Sequence, residues 1–412
     1  MAILCWLISV IQIVILILCE RRIFKKKIMS PILFLGFPFL AITLLSICFG
    51  SIFNFVSLTK EIFIIWWIGI FFVWFGGVLS HFVIPKKNRI YSDFPISSRK
   101  TRRICIAITI TGSISILMRA YQLFWGASVH IFASNDFSAA LAQGVYGWIR
   151  IALLICLTYI LCTFKIKETT LIEVIAVILG IATIMIYQIK GVTLLPLVVC
   201  VLYRYQSGKK VFSTKVILGS VFIAASVFFI AYALPYVLSG DYSVLTDSEF
   251  YKYIGEKIMK YCWAGILAFC KFININIEPS EPWYILISPI YNVLRRLWDG
   301  EGTSPVTSYF LEIGPDITSN VFTIFGTIYI FSSYLGLILI SFIIGFFAYW
   351  SMELAIKNPN NEWYKLGYAM FLFYMVMGIF DYFFYHAYVL IMLVLVYFIG
   401  FKAKRSLRVE VN

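Results

Sequence analysis

Apolar segments about 20 residues long recur along the whole chain, and this feature constrains its fold more than any other. Of the 412 residues, 61% are hydrophobic and 13% are charged. An α-helix needs about 20 apolar residues to cross a bilayer, and a spanning segment must satisfy its backbone hydrogen bonds internally. The sequence therefore predicts an all-α polytopic membrane protein.

We expect about eleven transmembrane helices. They lie near residues 2–19, 31–51, 62–84, 104–124, 147–164, 171–188, 191–206, 216–238, 322–349, 365–383 and 385–401. The predicted organisation is helices 1–8 within residues 1–239, a large loop over 240–320, helices 9–11 within 321–401, and a tail over 402–412.

Basic residues concentrate in alternate connections. Of the 34 Lys and Arg residues, 24 lie in residues 20–30, 86–103, 165–167, 204–215, 357–365 and 402–408. Cytoplasmic loops carry such an excess. We therefore expect the N-terminus and the large loop outside and the C-terminus in the cytoplasm. Because topology accounts for the basic charge, no nucleic-acid partner is expected.

The large loop differs from the rest of the chain in charge. Its six basic and ten acidic residues give a net charge of −4, in a chain of net charge +14. Thr246 and Glu249 form a capping-box pattern, which predicts a helix starting near Asp247. Residues 261–276 are apolar but too short to span a bilayer, so we expect them at the membrane interface or packed on the helices. Amphipathic helices are thus predicted in this loop.

The sequence also places a set of cations on the outer side of the membrane. They are Arg119, Arg150, Lys190, Arg295 and Arg296. A cation within or beside a span is costly and is therefore a candidate functional residue, although such side chains can also extend to lipid headgroups. Arginine binds phosphate oxygens in pairs and lysine supplies a point charge. The set predicts a binding site for a lipid-linked pyrophosphate.

Candidates for acid–base chemistry lie on the same side. They are Asp299, Glu301, Glu312, Asp316 and His386, with Asp136 in an earlier outer loop. Each carboxylate could instead be a surface group, and His386 a hydrogen-bonded histidine at the interface. The sequence contains neither a nucleotide-binding loop nor a Cys/His metal motif. No cofactor and no metal are therefore expected.

Three stretches carry a resemblance to a known family. They are residues 257–270 (Lys-Ile-Met-Lys-Tyr-Cys-Trp-Ala-Gly-Ile-Leu-Ala-Phe-Cys), residues 287–297 (beginning Ile-Ser-Pro-Ile), and Ser319-Asn320-Val321-Phe322-Thr323-Ile324-Phe325 followed by Ile328-Tyr329 and Gly336. The first resembles the Tyr, small-residue, Ala-Phe helix in the large loop of the O-antigen polymerase (oligosaccharide repeat-unit polymerase) superfamily. The second resembles the segment after that helix, and the third resembles its Asn-Val-Tyr-Thr entry into the next span.

The sequence departs from that family at two places. Phe331-Ser332-Ser333 stands where the family often has Asp-Phe-Gly, so no acid is assigned there. Lys190 stands where the family often has arginine at a hairpin between two short spans, which keeps the charge but loses the planar fork. We expect Gly191 to form the sharp turn of this hairpin.

The resemblance implies a glycosyltransferase that polymerises undecaprenyl-pyrophosphate-linked oligosaccharide repeat units into O-antigen or capsule-type polysaccharide. It would act at the outer face of the bacterial cytoplasmic (inner) membrane, with a chain-length regulator as a candidate partner. The energy would reside in the glycosyl–pyrophosphate bond of the donor. The cations would neutralise the leaving pyrophosphate, and a loop carboxylate or His386 would take the proton of the acceptor hydroxyl.

Two alternatives remain open. A flippase or other transporter of lipid-linked oligosaccharide would usually show inverted repeats, interrupted helices and charges at mid-membrane. This sequence has cations at the outer ends of spans and one large outer loop instead. The second alternative is the related O-antigen ligase, which the sequence hardly distinguishes from a polymerase.

Overall fold

Helices occupy all eleven segments predicted to be apolar spans. The computed structural model describes residues 1–24, 29–83, 99–124, 135–165, 169–187, 189–208, 214–238, 240–275, 283–296, 310–315 and 317–411. The eleven helices are α1 (Ala2–Phe24), α2 (Pro31–Phe49), α3 (Lys60–Val83), α4 (Arg99–Phe124), α6 (Val145–Thr163), α7 (Leu171–Ile186), α8 (Lys190–Gln206), α9 (Thr214–Leu238), α12 (Ile324–Lys357), α13 (Glu362–Met377) and α14 (Ala387–Val411).

The connections contain further elements. They are α5 (Asn135–Leu141), α10 (Ser248–Asn274), α11 (Ser288–Arg296), β1 (Leu311–Gly314) and β2 (Ile317–Ser319). Within the residues that the structure describes, six helices are long and apolar enough to cross a membrane by length and composition, namely α1, α2, α3, α4, α6 and α12. Shorter apolar helical segments lie within α7, α8, α9, α10 and α14. These elements make the protein an α-helical, multi-pass membrane protein.

The chain divides into two compact units. Unit one comprises Met1–Tyr91, Met259–Asn358 and Phe371–Leu390. Unit two comprises Ser92–Ile258, Pro359–Met370 and Ile391–Asn412. The boundaries fall inside α10, α13 and α14, so each of these helices contributes residues to both units.

In unit one, α3 and α12 pack against each other along most of α3. Glycines allow their backbones to touch. A Cβ atom at Gly345 would overlap the carbonyl oxygen of Val73, and one at Gly76 would overlap that of Phe342. Small residues at helix interfaces permit this close approach in membrane proteins. The buried Trp66 on α3 stacks on Phe39 of α2, with ring centroids 4.2 Å apart.

Unit two is built around α6, which packs against α4, α7 and α8. The start of α7 carries a capping box between Thr170 and Glu173. Glu173 also forms an ion pair with Arg102 of α4, with 2.7 Å between Nε and Oε1 and a second contact of 3.1 Å from Nη2. This paired geometry fixes the starts of α4 and α7 side by side.

The loop helix predicted near Asp247 is present as α10, but its capping residue differs from the prediction. Glu249 donates its backbone N–H to the Asp247 side chain at 2.9 Å. Thr246 instead ends a 3₁₀ turn and donates its hydroxyl to the carbonyl of Ser243. Aspartate and threonine are both good N-caps. Asp247 caps the helix because the hydroxyl of Thr246 is already bonded within the preceding 3₁₀ turn.

The N-terminal part of α10 is amphipathic, as predicted. Phe250 and Ile254 are buried against Phe229, Tyr232 and Ala233 of α9. Residues 261–274 continue the same helix instead of forming a separate one, and residues 263–270 are buried. Of the two arrangements expected for this apolar stretch, the structure shows the packed one.

A two-stranded antiparallel hairpin, β1–β2, was not predicted. Leu311 pairs with Ser319 and Glu312 with Thr318. Leu311 and Ile313 are buried, whereas Glu312 is exposed. This alternation before a Gly-Pro pair is a strand-and-turn signal that was present in the sequence.

The turn between α7 and α8 also differs from the prediction. Gly191 is the second residue of α8, so it does not form the turn. The helix-free residues that the structure describes there are Tyr187 and Ile189. Lys190 is consequently the first residue of a helix.

Candidate functional site

Arginine and tyrosine side chains alternate at one end of unit two. The guanidinium of Arg119, near the end of α4, lies 5.5 Å from the ring centroid of Tyr146 at the start of α6. Arg150, one turn further along α6, lies 5.1 Å from the ring centroid of Tyr187, which follows α7. Residues four apart on a helix share a face. Tyr146 and Arg150 therefore join the two pairs into one row, called here the Arg–Tyr site.

Two buried donors in the Arg–Tyr site make no hydrogen bond within the residues that the structure describes. They are Nε of Arg119 and the hydroxyl of Tyr187. Tyr187 is 1% exposed. Buried polar groups are nearly always hydrogen-bonded. Acceptor oxygens of a bound ligand are one way to satisfy each of these groups.

The start of α8 adds a third element to this end of unit two. Ile189 caps α8 without a side-chain hydrogen bond within the described part of the chain. The first N–H groups of a helix lack internal partners, and that end of the helix dipole is positive. Lys190 is the first residue of α8, but its side chain lies outside what the structure describes. The arrangement favours an anion at this end.

The two predicted arginines of the large loop lie at the end of α11. Arg295 is exposed, and its guanidinium lies 5.8 Å from the ring centroid of Tyr291 on the same helix. Arg296 is the last residue of α11, and its side chain lies outside the described part. Both belong to unit one. The structure thus links Arg119 to α6 through Tyr146, one helical turn before Arg150, and places Arg295 in unit one.

The acid–base candidates from the sequence are described only in part. Asp299, Glu301, Asp316 and the side chain of Asp136 lie outside the described residues. Glu312 is exposed on β1. His386 follows a 3₁₀ turn before α14, and its half-buried ring lies 4.6 Å from that of Tyr385 and 5.4 Å from that of Tyr388. His386 thus lies among aromatic side chains.

Asp381 is a carboxylate that the sequence analysis did not select. It lies in the connection between α13 and α14, which extends to His386 and contains the 3₁₀ turn. The Tyr385 hydroxyl donates a short hydrogen bond to Asp381, and the backbone N–H of Tyr382 donates one at 2.7 Å. Ser288 of α11 donates its hydroxyl to the carbonyl of Tyr385 at 2.8 Å. These bonds hold the carboxylate in a fixed position.

The same connection is tied to the start of α12. The backbone N–H of Ile324 donates to the carbonyl of Gly378 at 2.6 Å. Thr323 is the N-cap of α12, because its hydroxyl accepts the N–H of Gly326 at 3.1 Å. The indole N–H of Trp66 donates to the same hydroxyl at 3.3 Å. The Val-Phe-Thr motif after the loop therefore has a structural explanation as a helix start.

Helix α12 is interrupted at Ser333. This residue has φ 54° and ψ −161°, outside the helical region, within an element that otherwise runs from Ile324 to Lys357. A positive φ in a residue with a Cβ atom is strained and often marks a functional segment. The rings of Tyr329 and Tyr334 lie on either side of the break, with centroids 4.9 Å apart.

One of the site residues that was not selected from the sequence carries a signal there. Asp381 falls inside the predicted span 365–383, and an ionisable residue in an apolar segment is a signal by itself. The sequence offers no comparable signal for Tyr146 and Tyr187, because tyrosines are common at membrane interfaces. Among the residues that the structure describes, no group of three or more His, Cys, Asp and Glu side chains could hold a metal ion.

The fold and the Arg–Tyr site define a multi-pass α-helical membrane protein with a candidate anion site at one end of its helices. Residues 51–408 match the model of a family of unknown function, DUF6337, and the chain belongs to that family. No curated protein and no solved structure matches the chain.

Proposed function

We propose that the protein is a membrane glycosyltransferase that polymerises polyprenyl-pyrophosphate-linked oligosaccharide repeat units. The observation that carries this proposal is the Arg–Tyr site, in which Arg119 of α4 and Arg150 of α6 each lie over a tyrosine ring, the second of these just before the start of α8. Guanidinium groups and helix N-termini both bind phosphate oxygens. The stretches that resemble O-antigen polymerases indicate that this diphosphate links undecaprenol to a glycan.

In the proposed reaction, the bond between the anomeric carbon of the donor glycan and its pyrophosphate oxygen breaks. The acceptor hydroxyl oxygen forms the new glycosidic bond, and its proton passes to a base. The pyrophosphate leaves with the electron pair, still attached to the polyprenol. Arg119 and Arg150 would stabilise the negative charge that develops on this leaving group.

The candidate bases come from the sequence and from the structure. His386 and the carboxylates Asp299, Glu301, Glu312 and Asp316 are the candidates from the sequence. To these we add Asp381, because its hydrogen bonds fix one geometry for its carboxylate. A positioned base contributes about 10²- to 10⁴-fold to a rate. Replacing the correct residue should therefore abolish long polymer.

The surface glycan of a deletion strain tests the proposed function. Loss of a polymerase leaves single repeat units on the lipid anchor, because ligation and transport continue. A plasmid copy of the wild-type gene should restore long chains. A complete lack of surface glycan in the deletion strain would instead indicate a flippase or a ligase.

The interruption of α12 supports transport as a second candidate function. Interrupted helices often form binding sites in transporters, and Ser333 breaks a helix that is otherwise long enough to span the membrane. A transporter of lipid-linked oligosaccharide would bind the same diphosphate as a polymerase. The two candidates differ in the cellular product, since a strain without the flippase accumulates repeat units in the inner leaflet.

Proposed orientation and localisation follow the charge distribution of the sequence. The Arg–Tyr site would lie at the outer face of the bacterial cytoplasmic membrane, since the connections at the opposite ends of α4, α6 and α8 contain the cytoplasmic basic runs. Eleven spanning helices and a large outer loop over 240–320 belong to this proposal. A chain-length regulator remains a proposed partner.

A further inference from the structure

A polar cavity lies at the other end of unit two from the Arg–Tyr site. Its volume is about 280 Å³. The cavity is lined by the ends of α6 and α8 and by the start of α13, and its charged lining residues are Lys165, Arg204, Glu362 and Lys365. Arg150 and Cys162 are twelve residues apart on α6, which corresponds to about 18 Å along the helix axis. The cavity and the Arg–Tyr site are therefore separate.

We infer that this cavity binds a phosphate-containing ligand that carries two negative charges in total. Three cations and one carboxylate give its lining a net charge of +2. The volume lies below the range of about 300–1,000 Å³ that is usual for drug-sized ligands. A headgroup or a small anion therefore suits it better than a whole lipid-linked oligosaccharide. This inference is independent of the proposed function.

Arg204 is held in place for such a role. Its Nη2 atom donates to the carbonyl of Phe164 at 3.1 Å and lies 3.5 Å from that of Leu161. These are among the last carbonyls of α6 and its cap, which commonly pair with basic side chains. Nε of Arg204 is buried and makes no hydrogen bond to any residue that the structure describes. The guanidinium is thus fixed and keeps donor capacity for an anion.

The carboxylate in the lining is fixed as well. Glu362 accepts a 2.8 Å hydrogen bond from the hydroxyl of Tyr159, which is buried and stacks on Trp363 with centroids 4.6 Å apart. Lys365 lies three residues after Glu362 on α13, so the two share a face. Asn360, Thr163 and Ser207 add neutral hydrogen-bonding groups to the lining. This combination is polar on several sides, as a phosphate site requires.

Two sources could supply this phosphate chemistry. In the proposed topology the cavity faces the cytoplasmic leaflet, where basic pockets between helices bind the headgroups of anionic lipids. Cardiolipin carries two phosphates and matches the net charge. A soluble phosphate in the cytoplasm carries the same charge. The experiment below separates the two.

The experiment measures thermal unfolding of the full chain, purified in a neutral detergent, by tryptophan fluorescence. One series adds cardiolipin in mixed micelles against phosphatidylcholine, and the other adds inorganic phosphate against chloride at equal ionic strength. A ligand that binds the folded state raises Tm in proportion to its occupancy. We expect at least one of the two ligands to raise the Tm of the wild-type protein.

Arg204→Gln and Lys365→Gln each remove one lining charge, and we expect each to raise the half-maximal ligand concentration about tenfold, as loss of a charged hydrogen bond does. Lys252→Gln is the matched control, because Lys252 is exposed on α10 and the change in net charge is the same. Arg204 bonds the end of α6, so Arg204→Gln can also disturb folding. Lys365→Gln removes a lining charge without touching that contact and so keeps the test valid.

A response to cardiolipin alone assigns the site to a lipid headgroup, and a response to phosphate alone assigns it to a soluble ligand. A response to both, weakened in both lining variants, supports the shared phosphate chemistry. No Tm change with either ligand would overturn the inference. Equal responses in Lys365→Gln, Lys252→Gln and the wild-type protein would overturn it too.

Discussion

The guanidinium of Arg150 lies 5.1 Å from the ring centroid of Tyr187, and this contact joins α6 to the turn before α8. A cation over an aromatic ring is stabilised by about 0.5–1 kcal/mol at exposed sites and by about 2 kcal/mol when desolvated. An arginine that merely extended to lipid headgroups would need no fixed ring partner. The contact therefore favours a positioned guanidinium in the Arg–Tyr site.

Arg119→Gln and Arg150→Gln should each shorten the surface polymer strongly. Each variant removes a charged donor from the proposed pyrophosphate site, and a hydrogen bond to a charged group contributes about 1.5–3 kcal/mol, or roughly ten- to hundredfold in rate. The measurement is the chain-length distribution in a complemented deletion strain, at matched protein level in the membrane. Lys252→Gln is the control of equal charge. Long polymer from both arginine variants would show that these side chains serve as headgroup anchors.

Tyr187→Phe separates the hydroxyl from the ring. The ring stays under Arg150, but the buried hydroxyl, which has no hydrogen-bond partner among the described residues, is removed. We expect shorter polymer together with an unchanged or higher Tm. An unsatisfied buried hydroxyl lowers the free energy of unfolding, so its removal does not destabilise the protein. A higher Tm with normal polymer would mean that this hydroxyl does not contact substrate.

Much of the fold could be predicted because apolar length and charge act locally. All eleven predicted apolar spans coincide with helices, and the charge of Arg119 and Arg150 was sufficient to select them as candidates. Their tyrosine partners could not be selected, since those contacts join residues that are distant in sequence.

The errors have equally specific causes. At the start of α10, two neighbouring residues were both good caps, and the 3₁₀ turn before the helix took Thr246. The break at Ser333 has no proline or glycine at its position, and the span predicted over 322–349 treated this segment as one continuous helix. The span predicted over 365–383 was extended past Met377, where α13 ends, so Asp381 was assigned to a helix although it lies in the following connection.

Asp381→Asn should abolish polymer if this carboxylate is the base. The amide keeps the size of the side chain, and its one oxygen can accept the backbone N–H of Tyr382, while its NH2 group can donate to the hydroxyl oxygen of Tyr385. We expect at least about a hundredfold slower polymerisation with a Tm close to that of the wild-type protein. Glu312→Gln is measured in parallel, since Glu312 is exposed on β1. Loss of polymer in Glu312→Gln alone would assign the base to Glu312.

Topology reporters test the orientation on which the outer placement of the Arg–Tyr site depends. Fusions after Ser280 should report the outside of the cytoplasmic membrane, and fusions after Lys100 or Arg405 should report the cytoplasm. The reason is that 24 of the 34 basic residues lie in the predicted cytoplasmic connections. A cytoplasmic signal at Ser280 would invert the topology and place the cavity beside Arg204 outside.

Lys190 allows charge to be distinguished from geometry at the start of α8. If Lys190 supplies positive charge to a diphosphate, Lys190→Arg should retain most activity, because guanidinium is always charged and reaches at least as far. Lys190→Gln should lose activity, since it keeps hydrogen bonding but not the Coulomb attraction, which is stronger where protein and lipid exclude water. The measurement is the chain-length distribution for Lys, Arg and Gln at matched expression, and equal polymer from Lys and Gln would leave the two arginines as the site's cations.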